Sequence, residues 1–189
     1  MRESTDTRHR ALAGQIACCT ACPLAAGRTT VVVGSGPVPA PLLVVGEGPG
    51  AQEDATGRPF VGRAGQLLDR LLVAAGMPRE RVAVSNVVKC RPPGNRPPTR
   101  AEVVTCRGWL AAQILLIDPE VIVTLGGTAT GWALGRGLRL ADVRGRPHLV
   151  EGRSILPTYH PSAALRGGPR GATVAHLRAD LALAVGLLR

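Results

Sequence analysis

Aromatic side chains are nearly missing from this 189-residue chain, which holds two Trp, one Tyr and one Phe. Its core must therefore be aliphatic, and a ring kept in a polar loop calls for a reason. Lysine is scarcer still, Lys89 being the sole one among 23 basic residues. Long apolar runs are absent too. The longest, at 41–46 and 121–125, fall far below the roughly 20 residues that span a bilayer, which excludes a membrane-spanning helix. The first residues, Met1-Arg2-Glu3-Ser4-Thr5-Asp6, mix charges without an apolar stretch. That excludes a secretory signal and leads us to expect a cytoplasmic protein. A second Cys-x-x-Cys is missing, which weakens a zinc ribbon. The glycine-rich run at 46–50 lacks the Lys-Ser/Thr ending of a P-loop.

What is present describes one globular unit. A 45% hydrophobic chain of this length can enclose one sizeable core and not two, so we expect a single domain over 1–189, with 1–17 a tail or helix. The formal charge of +10 suits a polyanionic partner, because arginines neutralise phosphates and release counterions. The same excess of Arg, beside abundant Ala, Gly, Pro and Val, also marks a GC-rich coding sequence, so charge alone leaves both readings open. Five cysteines, at 18, 19, 22, 90 and 106, in a chain without a signal point away from disulfides and toward a four-ligand metal site with one spare thiol.

Four β-branched runs, at 42–46, 82–86, 121–126 and 155–158, read as strands buried on both faces of a parallel sheet. Helical patterns separate them. Residues 64–75 set Leu67, Leu68, Leu71 and Leu72 on one stripe before Gly76-Met77-Pro78. Thr99 and Glu102 have capping-box spacing at the head of a helix reaching Ile117, before Asp118-Pro119. Residues 128–134 and 173–188 complete the set. The alternation predicts an α/β fold, a three-layer α/β/α sandwich around a four-stranded parallel sheet. Residues 91–98 and 167–171 read as loops.

The unusual residues fall at strand ends. Gly46-Glu47-Gly48-Pro49-Gly50 follows the first strand, Asn86 ends the second, Gly126-Gly127 the third, and His160-Pro161-Ser162 follows the fourth. In open parallel sheets ligands bind outside the carboxyl ends of the strands, so these residues should converge. Phe60 lies in the loop after the first strand, either for stacking or as a core anchor. Trp109 and Trp132 sit on predicted helices, where packing accounts for them.

At this point the motifs resemble a known family. Residues 46–50 followed by Gly57-Arg58-Pro59-Phe60-Val61-Gly62-Arg63-Ala64-Gly65, then Asn86-Val87-Val88-Lys89-Cys90-Arg91-Pro92-Pro93, then Tyr159-His160-Pro161-Ser162-Ala163-Ala164-Leu165-Arg166, are similar to the ordered motifs of the family 4 uracil-DNA glycosylases. The likeness runs from about Cys19 to Arg166. It implies the uracil-DNA glycosylase fold and hydrolysis of the N-glycosidic bond of deoxyuridine in DNA. It also implies a structural 4Fe–4S cluster on Cys19, Cys22, Cys90 and Cys106, with Cys18 spare; by spacing alone, zinc and iron–sulfur remain equal candidates.

Base excision needs the nucleotide extruded into a pocket, and the strand ends offer candidates for each task. Asn86 presents one donor and one acceptor that match uracil's O4 and N3–H, though a strand-end Asn is also an ordinary turn residue. Phe60 would stack on the base. His160 would donate to uracil O2 as charge gathers there, with backbone N–H groups of Gly46 and Gly48 adding donors. Glu47 is the first candidate to position water and Asp54 the second, because Gly48 stands where uracil glycosylases with a Gly-Gln-Asp-Pro motif keep an Asp. Glu53 would guard against thymine's methyl group, or belong with Asp54 to a solvated loop. Ser162, Arg166, Arg91 and Arg96 would meet DNA phosphates. Leu165 would fill the vacated stack, in a loop loosened by Gly167-Gly168, or merely open the next helix. The 91–98 segment lacks the His with which a related branch traps its abasic product, so turnover is expected. The partner is uracil-containing DNA and the protein a monomer. A non-catalytic DNA binder with a structural metal, or a glycosylase for another deaminated base such as hypoxanthine, are the competing readings.

Overall fold

A computed structural model describes residues 4–166 and 171–188. The predicted parallel sheet forms from β1 (Leu42–Gly46), β2 (Val82–Asn86), β3 (Val121–Leu125) and β5 (Arg153–Thr158). A short strand, β4 (His148–Val150), extends it antiparallel to β5, giving the order β2-β1-β3-β5-β4. The sheet is therefore five-stranded, the expected four parallel strands being extended by β4 beyond β5. Sequence reading passed over β4 because it is three residues long and half solvated. Its signal was the two-residue turn Glu151-Gly152, both at positive φ (48° and 79°), between the paired Val150 and Arg153. Two left-handed residues give a turn whose twist matches a tight hairpin.

Alternation along each strand splits the interior into two cores. Leu42, Val44, Val82, Val84, Val121 and Val123 face one side, where they meet α4 (Arg63–Ala74), α8 (Pro161–Arg166) and α9 (Ala172–Gly186). Leu43, Val45, Ala83, Ile122 and Ile155 face the other, against α5 (Arg100–Ile117) and α6 (Gly126–Leu134). The first helix, α1 (Thr5–Ala17), packs on the outside of α5. Short helices α2 (Leu24–Gly27), α3 (Ala51–Thr56) and α7 (Leu140–Val143) complete the chain. This is the predicted three-layer sandwich.

Local chemistry explains the boundaries. On α4 the four predicted leucines are buried, and Gly76 at φ 80° ends the helix. At the head of α5, Thr99 Oγ1 accepts from the Glu102 N–H at 3.3 Å and Glu102 Oε2 accepts from the Thr99 N–H at 2.7 Å, a closed capping box. Asp118, left-handed at φ 47°, stops α5 before Pro119. On α9 the buried Asp180 breaks the apolar stripe; it accepts from Arg144 at 2.7 Å and Thr158 Oγ1 at 2.6 Å, tying the helix to β5. Among the described residues, no helix is long and apolar enough to cross a membrane.

Candidate active site

Each parallel strand delivers its exceptional residue to the same edge. A cleft of about 500 Å³ is lined there by Glu47 after β1, Asn86 at the end of β2, Gly126 after β3 and His160 after β5, with Phe60 and Glu53 from the intervening loop. The candidates Glu47, Glu53, Phe60, Asn86 and His160, from stretches far apart in sequence, thus share one cavity. Their convergence follows from the parallel order alone, since all four strands point the same way.

His160 is held in a defined state. Its Nδ1 lies 3.1 Å from the Ser162 backbone N–H and 2.8 Å from Ser162 Oγ. A backbone N–H can only donate, so Nδ1 is the acceptor and the ring proton resides on Nε2. Burial, with Arg166 nearby, pushes the imidazole pKa down to about 4, while Glu53 opposes this weakly. His160 is neutral at pH 7 and keeps one N–H free for the cleft. Its ring centroid is 6.3 Å from that of Phe60.

Phe60 adopts φ 56°, a conformation uncommon for a bulky residue. Glu53 explains how it persists: Oε1 accepts from the N–H of Val61 (2.9 Å) and Gly62 (2.8 Å), and Oε2 from that of Gly50 (3.2 Å). Its carboxylate closes the loop around the ring. Glu53 lines the cleft, but as the organiser of residues 50–62, a role that its solvated-loop reading missed.

Two glycines have no room for a side chain. A Cβ on Gly46 would lie 2.5 Å from Asn86 Oδ1 and 2.6 Å from Phe60 Cζ, so its absence lets amide and ring approach each other. A Cβ on Gly48 would lie 2.7 Å from Val88 Cγ2, and Val88 is fully buried. An Asp at that position would press on the Val88 side chain, which would have to shift to admit it. Glu47, one residue earlier, faces the cleft and its Oε2 accepts a hydrogen bond from Thr128 Oγ1 at the head of α6.

The structure separates Asp54 from this group. Asp54 is 3% exposed and its Oδ1 accepts from the N–H groups of Thr29 (2.9 Å) and Thr30 (3.3 Å). It anchors the segment before β1 and does not line the cleft, because its position in α3 turns it inward. Ser162 and Arg166 do line the cleft. Arg96 reaches it too, but is paired with Glu102 at 2.7 and 2.9 Å, which offsets its charge. Arg91 donates to Asn95 Oδ1 at 2.7 Å within its own loop and lies off the cleft. Leu165 belongs to α8 and packs against the aliphatic core rather than standing free. The loop expected at Gly167-Gly168 lies outside the described residues.

The cysteines gather on the opposite face of β2. Cys22, Cys90 and Cys106 join one apolar cluster with Trp109, and Trp109 Nε1 donates to Cys19 Sγ at 3.3 Å. Arg28 Nη1 donates to Cys90 Sγ at 3.2 Å. Burial raises the thiol pKa of both Cys90 and Cys106. Cys18 is exposed, and none of the five is in a disulfide. Among the described residues no three His, Cys, Asp or Glu are grouped closely enough to hold a single metal ion.

A model of the uracil DNA glycosylase superfamily matches residues 33–182. A type-4 uracil-DNA glycosylase of Thermotoga maritima is 53% identical over 150 residues, which cover 78% of each chain. One from Pyrobaculum aerophilum is 44% identical over 158 residues, 78% of this chain and 80% of that one. A type-5 enzyme of Mycobacterium tuberculosis is 36% identical over 148 residues, 64% of this chain and 53% of that one. The chain belongs to the type-4 uracil-DNA glycosylases.

Two residues of this family member escaped the sequence reading. Thr128, which grips Glu47, was placed only as the start of a helix; nothing in its surroundings along the chain signals a role. Lys89 had a signal, as the sole lysine of an arginine-rich chain. It is 2% exposed, and its Nζ donates at 2.7 Å to the Asn86 carbonyl oxygen, Ser85 Oγ and Gln113 Oε1. Burial without a carboxylate pushes its pKa down to about 7. A compact ammonium with three donors fits this cage where the planar fork of Arg would not. Lys89 thereby fixes the end of β2 to α5.

Proposed function

We propose that the protein is a monofunctional DNA repair glycosylase that hydrolyses the N-glycosidic bond of deoxyuridine in DNA, releasing uracil and leaving an abasic site. The observation that carries this reading is the meeting of Glu47, Phe60, Asn86 and a neutral, Nε2-protonated His160 in one cleft. Phe60 covers a face of the extruded base and the Asn86 amide bonds O4 and N3–H. As the bond between C1′ and N1 breaks, its electron pair leaves with uracil. His160 Nε2–H donates to O2, where that charge gathers. Glu47 orients the water, which adds to C1′ and gives its proton to the Glu47 carboxylate, from which it passes to the uracil anion. The head of α6, at Gly126-Gly127, lines the same wall, and a helix N-terminus favours anionic species. Ser162 and Arg166 meet phosphates beside the flipped nucleotide. Asp54 has no part in the reaction.

Three free thiols in one apolar cluster, Cys22, Cys90 and Cys106, with Cys19 joined to it through Trp109 and two of the four accepting N–H bonds, fit a 4Fe–4S group on Cys19, Cys22, Cys90 and Cys106. A cluster separates its thiolates further than one ion does, and those N–H donors suit negatively charged sulfur. Its part is structural: it would tie the N-terminal segment to β2 and α5 as a single cytoplasmic domain that acts on DNA as a monomer. Cys90→Ala should lose colour and stability together.

The test is excision from a uracil-containing oligonucleotide, with alkali cleavage of abasic sites, by the wild type and His160→Ala. Loss of cleavage in the variant is expected. Equal activity would remove His160 from the mechanism, and DNA binding without any cleavage by the wild type would favour a pure binder.

A further inference from the structure

A second trough, of about 660 Å³, lies beside the uracil cleft and is not used by the chemistry above. One wall is the first half of α5, the other α6 and the loop after it. Gly127 lines both cavities, and Arg96-Pro97 of the cleft run directly into Pro98 and Arg100 of the trough. The two are therefore one continuous surface.

Its chemistry is of one sign. Arg100, Arg107 and Arg136 line it and no acidic residue does. All three are exposed. Arg107 is preorganised, with its guanidinium 4.9 Å from the Trp132 ring centroid and a bond to the Trp132 carbonyl oxygen. Between the cations stand exposed apolar side chains, Val104 at 62% and Leu138 at 48%. Charge repeated along a trough, with apolar surface between, suits a polyanion that has apolar faces of its own. Because the trough opens into the uracil cleft, its occupant must be able to continue from there.

We propose that this trough holds the DNA strand that carries the uracil, on one flank of the flipped nucleotide. Arg100, Arg107 and Arg136 take backbone phosphates, and Val104, Leu138 and Trp132 lie against sugars and bases. The inference rests on the uracil-excision reading and extends the footprint beyond the flipped nucleotide.

The test is a ladder of uracil oligonucleotides lengthened one nucleotide at a time on the 5′ or the 3′ side. It is run on the wild type, on Arg100→Gln/Arg107→Gln/Arg136→Gln, and on Arg100→Gln/Arg136→Gln, which leaves the Arg107–Trp132 pair intact. Thermal melting confirms folding. In the wild type, KM should drop about ten-fold once one flank reaches the trough, and the variants should lose that drop. The slope of log affinity against log salt should weaken by about 0.9 for each phosphate contact removed from duplex DNA, so by nearly 3 in the triple variant. A ladder without a drop, or the same drop in all three proteins, overturns the proposal. So does a triple variant that loses binding to polyglutamate while keeping its DNA salt slope, which assigns the trough to an acidic polypeptide. If the wild type excises no uracil, the reading of the cleft fails separately, and the salt slope on uracil-free DNA still decides the trough.

Discussion

Replacing His160 by Gln removes a titrating group while keeping a donor of similar reach, and so isolates the state of the imidazole. In the folded protein its pKa is about 4, chiefly through burial; in the unfolded chain it returns to about 6.5. Below pH 6.5 the unfolded chain takes up a proton that the folded protein refuses until about pH 4. Stability conferred by neutral His160 is therefore full above pH 6.5 and lost as the pH falls toward 4. Linkage over that window gives the wild type a loss of about 2 kcal/mol between pH 7 and 5, and about 3 kcal/mol by pH 4, relative to the Gln variant. Urea unfolding of both proteins at pH 7, 6 and 5 measures the difference directly, since every other group titrates in both. The wild-type excision rate should meanwhile show no ionisation of His160 between pH 5 and 8. Parallel stability profiles, or an NMR titration that places His160 near 6.5, would refute the assignment of a neutral Nε2–H donor.

Other outcomes follow from individual contacts. Thr128→Val deletes the hydroxyl bound to Glu47; steady-state kinetics on uracil DNA should show kcat down about ten-fold, the loss of one charge-assisted hydrogen bond, with KM little changed. Gly48→Asp should not improve catalysis but destabilise by about 1–3 kcal/mol in urea melts, because its Cβ meets Val88 Cγ2, and adding Val88→Ala should recover most of that loss. Arg144→Ala strands the buried Asp180 carboxylate and should cost about 3–5 kcal/mol, measurable as a lowered Tm. The Glu102 carboxyl, held by Arg96 at about pKa 2, should stabilise the head of α5 above pH 4.5. That contribution should fade as the pH falls toward 2, and Glu102→Gln should flatten the acid limb of the melting profile.

The residues that sequence could place are those whose role follows from chain direction. Asn86, Gly126 and His160 sit at carboxyl ends of strands, and parallel strands bring such ends together whatever the side chains do. Thr99 and Glu102 were legible because a capping box is local, three residues apart. What stayed hidden depends on contacts between distant segments. Thr128 touches Glu47 across 81 positions, and Asp54 looks catalytic by proximity in sequence until the amides of Thr29 and Thr30 claim it. The strand β4 failed for another reason, being too short for periodicity to show.

Gly48 joins the two kinds of reading. As a gap in a motif it raised the question of where the water-positioning carboxylate had gone, and sequence offered Glu47 or Asp54. Packing answers both halves: Val88 fills the space an aspartate would need, and the buried amides hold Asp54 away. Val88 belongs to the segment that Lys89 pins to α5 and that leads to Cys90, so the site's departure from the Asp-Pro pattern and the cysteine face share one stretch of backbone. In the proposed mechanism Glu47 takes that part from one residue nearer β1, and Thr128 Oγ1 holds its carboxylate. Because Lys89 pins residues 86–89 to α5, Val88 crowds position 48, and a smaller side chain at 88 should make room there for an aspartate.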